Sequence, residues 1–82
     1  MKDRYYLGVD LGSVSLDAVI LDRQGEIKWW KYHRIHGWPK RAIYILSREI
    51  RDEFIIPNNI EKFHGSLATG SGKEIVKKVL GL

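Results

Sequence analysis

Apolar and polar positions follow more than one rhythm along this chain, and each rhythm predicts a different element. From Tyr5 to Val9 the apolar residues run without a break and end on a carboxylate, Asp10. A continuous run of this kind predicts a central strand, over about residues 5–10, covered on both faces. From Val14 to Asp22 the pattern alternates, with Val14, Leu16, Ala18 and Ile20 on one side and Ser15, Asp17, Val19 and Leu21 on the other. That period of two predicts a second strand, half-polar in its first half and buried on both sides in its second. Over about residues 26–35, Ile27, Trp29, Lys31 and His33 share one face while Lys28, Trp30, Tyr32 and Arg34 share the other. Aromatics and cations interleaved on both faces describe an edge strand guarded by charge. The links are short: Leu11-Gly12-Ser13, then Asp22-Arg23-Gln24-Gly25, where Gly25 supplies the positive φ of a hairpin loop. Three strands joined this way form an antiparallel meander.

The period then changes. His36-Gly37-Trp38 closes the meander, and Pro39, with its preset φ and no N–H to satisfy, opens a helix. Ile43, Leu46, Ile50 and Phe54 recur at steps of three and four, a core-facing stripe over about residues 39–54. Lys40, Arg41, Arg48 and Arg51 occupy the opposite side, and Pro57-Asn58-Asn59 stops the helix. A fourth strand is expected over about residues 60–68, brought back parallel to the first by a right-handed crossover. After Thr69-Gly70-Ser71-Gly72 a last helix buries Ile75, Val76, Val79 and Leu80. The expected fold is therefore α/β, in the order β-β-β-α-β-α, as one domain over residues 1–82. An apolar strand four with an open edge further suggests that these residues are a truncated piece of a larger protein.

Composition narrows the class. There is no cysteine among the 82 residues, so neither a disulfide framework, a thiolate zinc site nor iron–sulfur ligands come from this segment. No stretch approaches the roughly 18 apolar residues of a membrane span. Met1-Lys2-Asp3-Arg4 leads into a strand without a signal-peptide cleavage pattern, which makes a cytoplasmic location the expectation. The net charge is +4, but its basic residues alternate with acidic ones, as in Arg48-Glu49, Arg51-Asp52-Glu53 and Lys73-Glu74. That pattern describes a mixed solvated surface and argues against dedicated nucleic-acid binding.

The chemistry concentrates at two turns. In the first, Asp10, Gly12 and Ser13 follow a strand, an arrangement that suits a phosphate: glycine lets the backbone approach the anion, and turn N–H groups and a hydroxyl donate to it. Asp10, two residues before Gly12, is placed to hold Mg²⁺ through water. The same residues also make an ordinary tight hairpin with a polar turn. The second turn, Thr69-Gly70-Ser71-Gly72-Lys73, fails as a P-loop because Leu67 and Glu74 stand where glycine and serine or threonine are required. If strands one and four are parallel neighbours, both turns lie at strand C-termini, where open α/β sheets bind ligands. His33, His36 and His64 have no acidic residue spaced to complete a metal site, and Trp29-Trp30 suits edge cover or an interface anchor.

Gly8-Val9-Asp10-Leu11-Gly12-Ser13-Val14-Ser15, followed by an apolar strand and Asp22-x-x-Gly25, resembles the first phosphate motif of the acetate kinase/sugar kinase/Hsp70/actin superfamily, whose members have a ribonuclease-H-like fold. Within it the chain is most similar to the BadF/BadG/BcrA/BcrD ATPase family, which includes activators of 2-hydroxyacyl-CoA dehydratases and benzoyl-CoA reductase subunits. Ala68-Thr69-Gly70-Ser71-Gly72-Lys73 resembles that family's turn after strand four.

The resemblance implies ATP and Mg²⁺ as cofactors. Asp10 would hold the metal through water, Gly12, Ser13 and the neighbouring Val14 and Ser15 would contact phosphates, and Thr69 and Gly70 would line the same cleft. It implies an N-terminal lobe partnered by the rest of the ATPase or another subunit, and by a dehydratase or reductase component. The chain departs from the family at Asp17, where lysine is common, and lacks the cluster cysteines, the second phosphate motif and the adenosine segment. Half a cleft cannot surround a transferring phosphoryl group, so the lobe alone is expected to have no significant ATPase activity. Two other functions fit less of the pattern: a ribonuclease-H-like nuclease or resolvase domain with Asp10 on a catalytic metal, and a non-catalytic interaction module. A homodimer through the exposed sheet edge is compatible with any of them.

Overall fold

In the computed structural model, which describes residues 4–82, the chain is an α/β fold built on one four-stranded mixed sheet. The Met1-Lys2-Asp3 segment from which the lack of a leader is read lies outside the described residues. Strands β1 (Tyr5–Leu11), β2 (Ser15–Asp22) and β3 (Ile27–Arg34) form the antiparallel meander. Helix α1 (Pro39–Ile50) follows, and β4 (Gly65–Thr69) then returns parallel to β1, giving the strand order β3-β2-β1-β4. A final helix occupies Lys73–Leu80.

Parity along the strands decides what is buried. Leu7, Val9 and Leu11 of β1, Leu16, Ala18 and Ile20 of β2 and Ala68 of β4 point to one face. There they meet Ala42, Ile43, Leu46, Ile50, Phe54 and Val76 from the helices. The alternate residues, Tyr6, Gly8 and Asp10 of β1 and Ser15, Asp17, Val19 and Leu21 of β2, are half-buried or exposed. The expectation that β1 and the second half of β2 are covered on both sides is therefore corrected. β1 is central in the sheet but packed on one face. Tyr6 is amphipathic and Gly8 has no side chain, so the unbroken run requires only its odd-numbered members to leave water.

Two boundaries also differ from the sequence pattern. β4 begins at Gly65, well after residue 60, because a ladder cannot begin before its partner does: Tyr6 pairs with Gly65, and one residue earlier the His64 N–H donates to the Tyr5 carbonyl at 2.8 Å. The long helix does not stop before Pro57. It widens into a π-helical stretch, Arg51–Ile55, and continues as a short α2 (Ile56–Asn58). The Ile56 N–H donates to the Arg51 carbonyl, a five-residue step that enlarges the turn just before the proline. This relieves the clash a proline ring makes with the preceding turn. Asn58 Nδ2 donates to the Phe54 carbonyl at 2.9 Å, and Asn59 ends the helix at φ 52°.

The borders of the sheet differ in character. β3 is an edge, as its interleaved cations predict, and its inner face is clamped to the helix by a polar network. Trp29 Nε1 donates to Glu53 at 3.1 Å, Lys31 Nζ reaches Glu53 at 2.9 Å and Glu49 at 3.6 Å, and His33 Nε2 bonds to Glu49. These contacts hold Glu53 below the usual carboxylate range, chiefly through Lys31, and raise Lys31, chiefly through Glu53. β4 forms the other border and carries no charged residue.

Candidate functional site

The parallel pairing of β1 and β4 sets Asp10 directly beside Thr69. The Thr69 hydroxyl donates to Asp10 Oδ1 at 3.0 Å. Beyond this pair, the turn leaving β4 is stitched onto the end of β1, with the Gly72 N–H donating to the Leu11 carbonyl at 2.9 Å. Gly70 sits at φ 91°, and a β-carbon there would lie 2.4 Å from the Leu11 carbonyl oxygen and 2.5 Å from Asp10 Oδ1. A β-carbon on Gly72 would come within 2.6 Å of the Leu11 side chain. Both glycines are therefore required by close packing of one turn on another.

The hairpin between β1 and β2 is built differently. The Gly12 N–H donates to the Ser15 carbonyl at 3.0 Å and closes the turn, so that donor is already engaged. The Ser13 and Val14 N–H groups and the Ser13 hydroxyl are the donors this turn has left for an anion. A β-carbon on Gly12 would meet nothing nearer than the Ser15 carbonyl at 3.9 Å, and the residue has no positive φ. Nothing within the fold demands glycine at this position. Val14 is exposed and accepts the Ile35 N–H at 2.9 Å, while Ser15 Oγ donates to Asp17 Oδ2 at 3.4 Å.

The residues singled out from the sequence do not share one cavity. Asp10 and Thr69 line an open hollow of about 260 Å³ on the bare face of the sheet, with Gly8, Asp17, Val19 and Leu67. Gly12 and Ser13 line a second, of about 270 Å³, on the helix side, against Ile35, Pro39, Gly72 and Ile75. Leu11, the last residue of β1, lines the second hollow as well. Val14, Ser15 and Gly70 line neither.

Two neighbours escape a reading of the sequence. Asp17 pairs directly with Asp10 across the β1–β2 ladder, so two carboxylates stand side by side on the bare face. Like charges so placed destabilise a sheet unless something of opposite sign joins them. Register is the signal that reveals this pair: a hairpin closed between Gly12 and Ser15 puts 10 opposite 17. The second is Glu49, which reaches His33 from α1 across the sheet-to-helix gap. Together Asp10, Asp17 and Thr69 offer oxygen donors alone, the chemistry a hard cation such as Mg²⁺ takes. No three His, Asp or Glu side chains among the described residues converge as a metal-holding group. No protein-family model and no curated protein matches the chain.

Proposed function

We propose that this chain is the N-terminal phosphate-binding lobe of an ATP-dependent activator of the BadF/BadG/BcrA/BcrD type, with a ribonuclease-H-like sheet. The observation that carries the proposal is the hydrogen bond from Thr69 to Asp10, which joins the ends of the two strands whose turns resemble that family's motifs. With Asp10 Oδ1 taken by Thr69, the other carboxylate oxygen remains to receive a water of hydrated Mg²⁺. The room above Gly12 lets a phosphate approach the Ser13 and Val14 donors. ATP would supply its own metal-bridged phosphates, and this lobe would position them. The rest of the cleft, from further chain or another subunit, would close over them, and a dehydratase or reductase component would receive the resulting conformational change.

Asp17 weighs against tight phosphate binding by this lobe alone, because its charge adds to that of Asp10. Calorimetry with Mg·ATP and Mg·ADP tests the proposal. Nucleotide is expected to bind weakly and only with the metal, without steady turnover, and Asp10→Asn is expected to reduce the affinity at least about tenfold, the range typical when a ligand-holding group is lost. Unchanged affinity in that variant would remove the site. The adjacent carboxylates Asp10 and Asp17 also favour a second reading, a metal-dependent nuclease, which needs such a pair. Metal-dependent binding of a short duplex in place of nucleotide would select it.

A further inference from the structure

The outer side of β3 carries exposed aromatics beside cations. Trp30, Tyr32 and Arg34 alternate along this edge strand and so stand on the bare face of the sheet, opposite Val19, Asp17 and Ser15. Trp30 is 67% exposed and Tyr32 48% exposed. Same-face residues on a strand recur every 6.6–6.8 Å or so, about twice the 3.4 Å per nucleotide of a duplex strand. That is the step of a single strand pulled out of its stack.

Past the end of β3 the chain turns toward the helix side, with Arg34 shared between the strand and the corner. His36 and Gly37 turn the chain at φ 52° and 77° and deliver Trp38, also 67% exposed, beside a hollow of about 160 Å³. His33, Arg34, His36, Arg41 and Ile45 line it with Trp38. Neither Arg34 nor Arg41 has a carboxylate partner among the described residues, whereas Lys28, Lys31 and Arg51 are all paired. The first turn of α1 contains no acidic residue, so Lys40 and Arg41 add to the positive end of the helix rather than offsetting it. Folding thus pairs the clamp lysine Lys31 with acids and leaves Arg34 and Arg41 at the corner without a carboxylate among the described residues.

We infer that the β3 border, from Trp30 and Tyr32 on the bare face around Arg34 to Trp38 and Arg41 at the corner, is a binding surface for single-stranded nucleic acid. Exposed aromatics at alternate strand positions, a repeat that suits unstacked bases, beside guanidinium groups free for phosphates, are the two components such surfaces need. An acidic or phosphorylated protein would engage the arginines but leave the aromatic row unexplained. A duplex would keep its bases stacked and out of reach of the rings. Asp17, beside Tyr32, and Asp10, beside Asp17, are carboxylates that oppose the contact there.

Fluorescence anisotropy with a labelled oligo(dT) of about 12 nucleotides, within the span one small domain covers, tests the inference. A duplex of the same length and poly-glutamate serve as the competing probes. The single strand is expected to bind more tightly than either, to quench tryptophan emission, and to weaken as salt rises. Trp30→Ala and Trp38→Ala are each expected to weaken it about 5- to 100-fold. Both positions are well exposed, so the folded state should survive, which a circular dichroism melt would verify. Asp17→Asn is expected to tighten binding. Equal affinity for poly-glutamate, or affinity within about twofold of the parent in both tryptophan variants, would overturn the inference. Mg·ATP calorimetry reads the Gly12 turn and this assay reads β3, so either result can fail without the other.

Discussion

The two faces of the sheet come from the same strands, yet they obey different rules. On the covered face Leu7, Val9, Leu16, Ala18 and Ile20 are all buried against the helices. On the bare face their neighbours along the chain are Tyr6, Gly8, Asp17, Val19 and Leu21, none of them buried. One row there, Leu67-Gly8-Val19-Trp30, crosses all four strands, and the next, Thr69-Asp10-Asp17-Tyr32, carries every titratable or hydroxyl group of the candidate metal site. The covered face is therefore where the fold gets its stability, and the bare face is where it keeps its chemistry. The proposed metal contact and the Trp30–Tyr32 row lie on the bare side, while the Gly12 turn and the Trp38 corner reach around to the helix side.

The contrast can be broken most directly by making one substitution on each face. Leu16 is 1% exposed and Leu67 is 65% exposed. Leu16→Ala is expected to cost about 2–5 kcal/mol in a urea melt, from lost burial and the cavity left behind. Leu67→Ala should stay within about 0.5 kcal/mol of the parent. Comparable losses would mean that the bare face carries fold stability too. The glycine turns sharpen the point on a smaller scale. Gly70→Ala forces a β-carbon onto a left-handed residue against the Leu11 carbonyl and is expected to cost about 1–3 kcal/mol. Gly12→Ala is expected to change stability by no more than about 0.5 kcal/mol, while weakening nucleotide binding if phosphates approach there.

The smallest effect concerns the clamp on β3. Glu53 titrates below its ordinary value because Lys31 and Trp29 bind its charged form. The folded state thus holds this proton less tightly than the unfolded chain. The contribution is present above the unfolded value, about 4.3, and is lost as pH falls through the lowered one. Glu53→Gln should flatten that part of the acid limb of a stability–pH curve by removing the same small amount of stability at neutrality, small because the pair is open to solvent.

How much of this was legible from the residues follows from the range of the forces involved. Pro39 and Gly25 act on their own backbone, and the helix start and the second hairpin lie where those residues predict. The parallel return of β4 beside β1 follows from the length of the connection, and it brought Asp10 and Thr69 together as expected. Burial of β1 on both faces did not follow, because an apolar run does not record how many layers the rest of the chain can supply. The Asp10–Asp17 juxtaposition depends on hairpin register, and the His33–Glu49 contact depends on how α1 lies across β3. Both are set by tertiary packing, which no local pattern carries. Pro57-Asn58-Asn59 predicts a stop, whereas the wider turn at Arg51–Ile55 lets the helix run on through the proline.

The uncharged outer strand, Gly65–Thr69, has one more implication, for molecules crowded together. Unsatisfied backbone groups along that border can recruit a neighbour, whereas the charged and bulky side chains of the opposite border hinder an incoming strand. Growth into a filament needs both borders to be adhesive, so crowded copies would join border to like border, and the assembly would close after two.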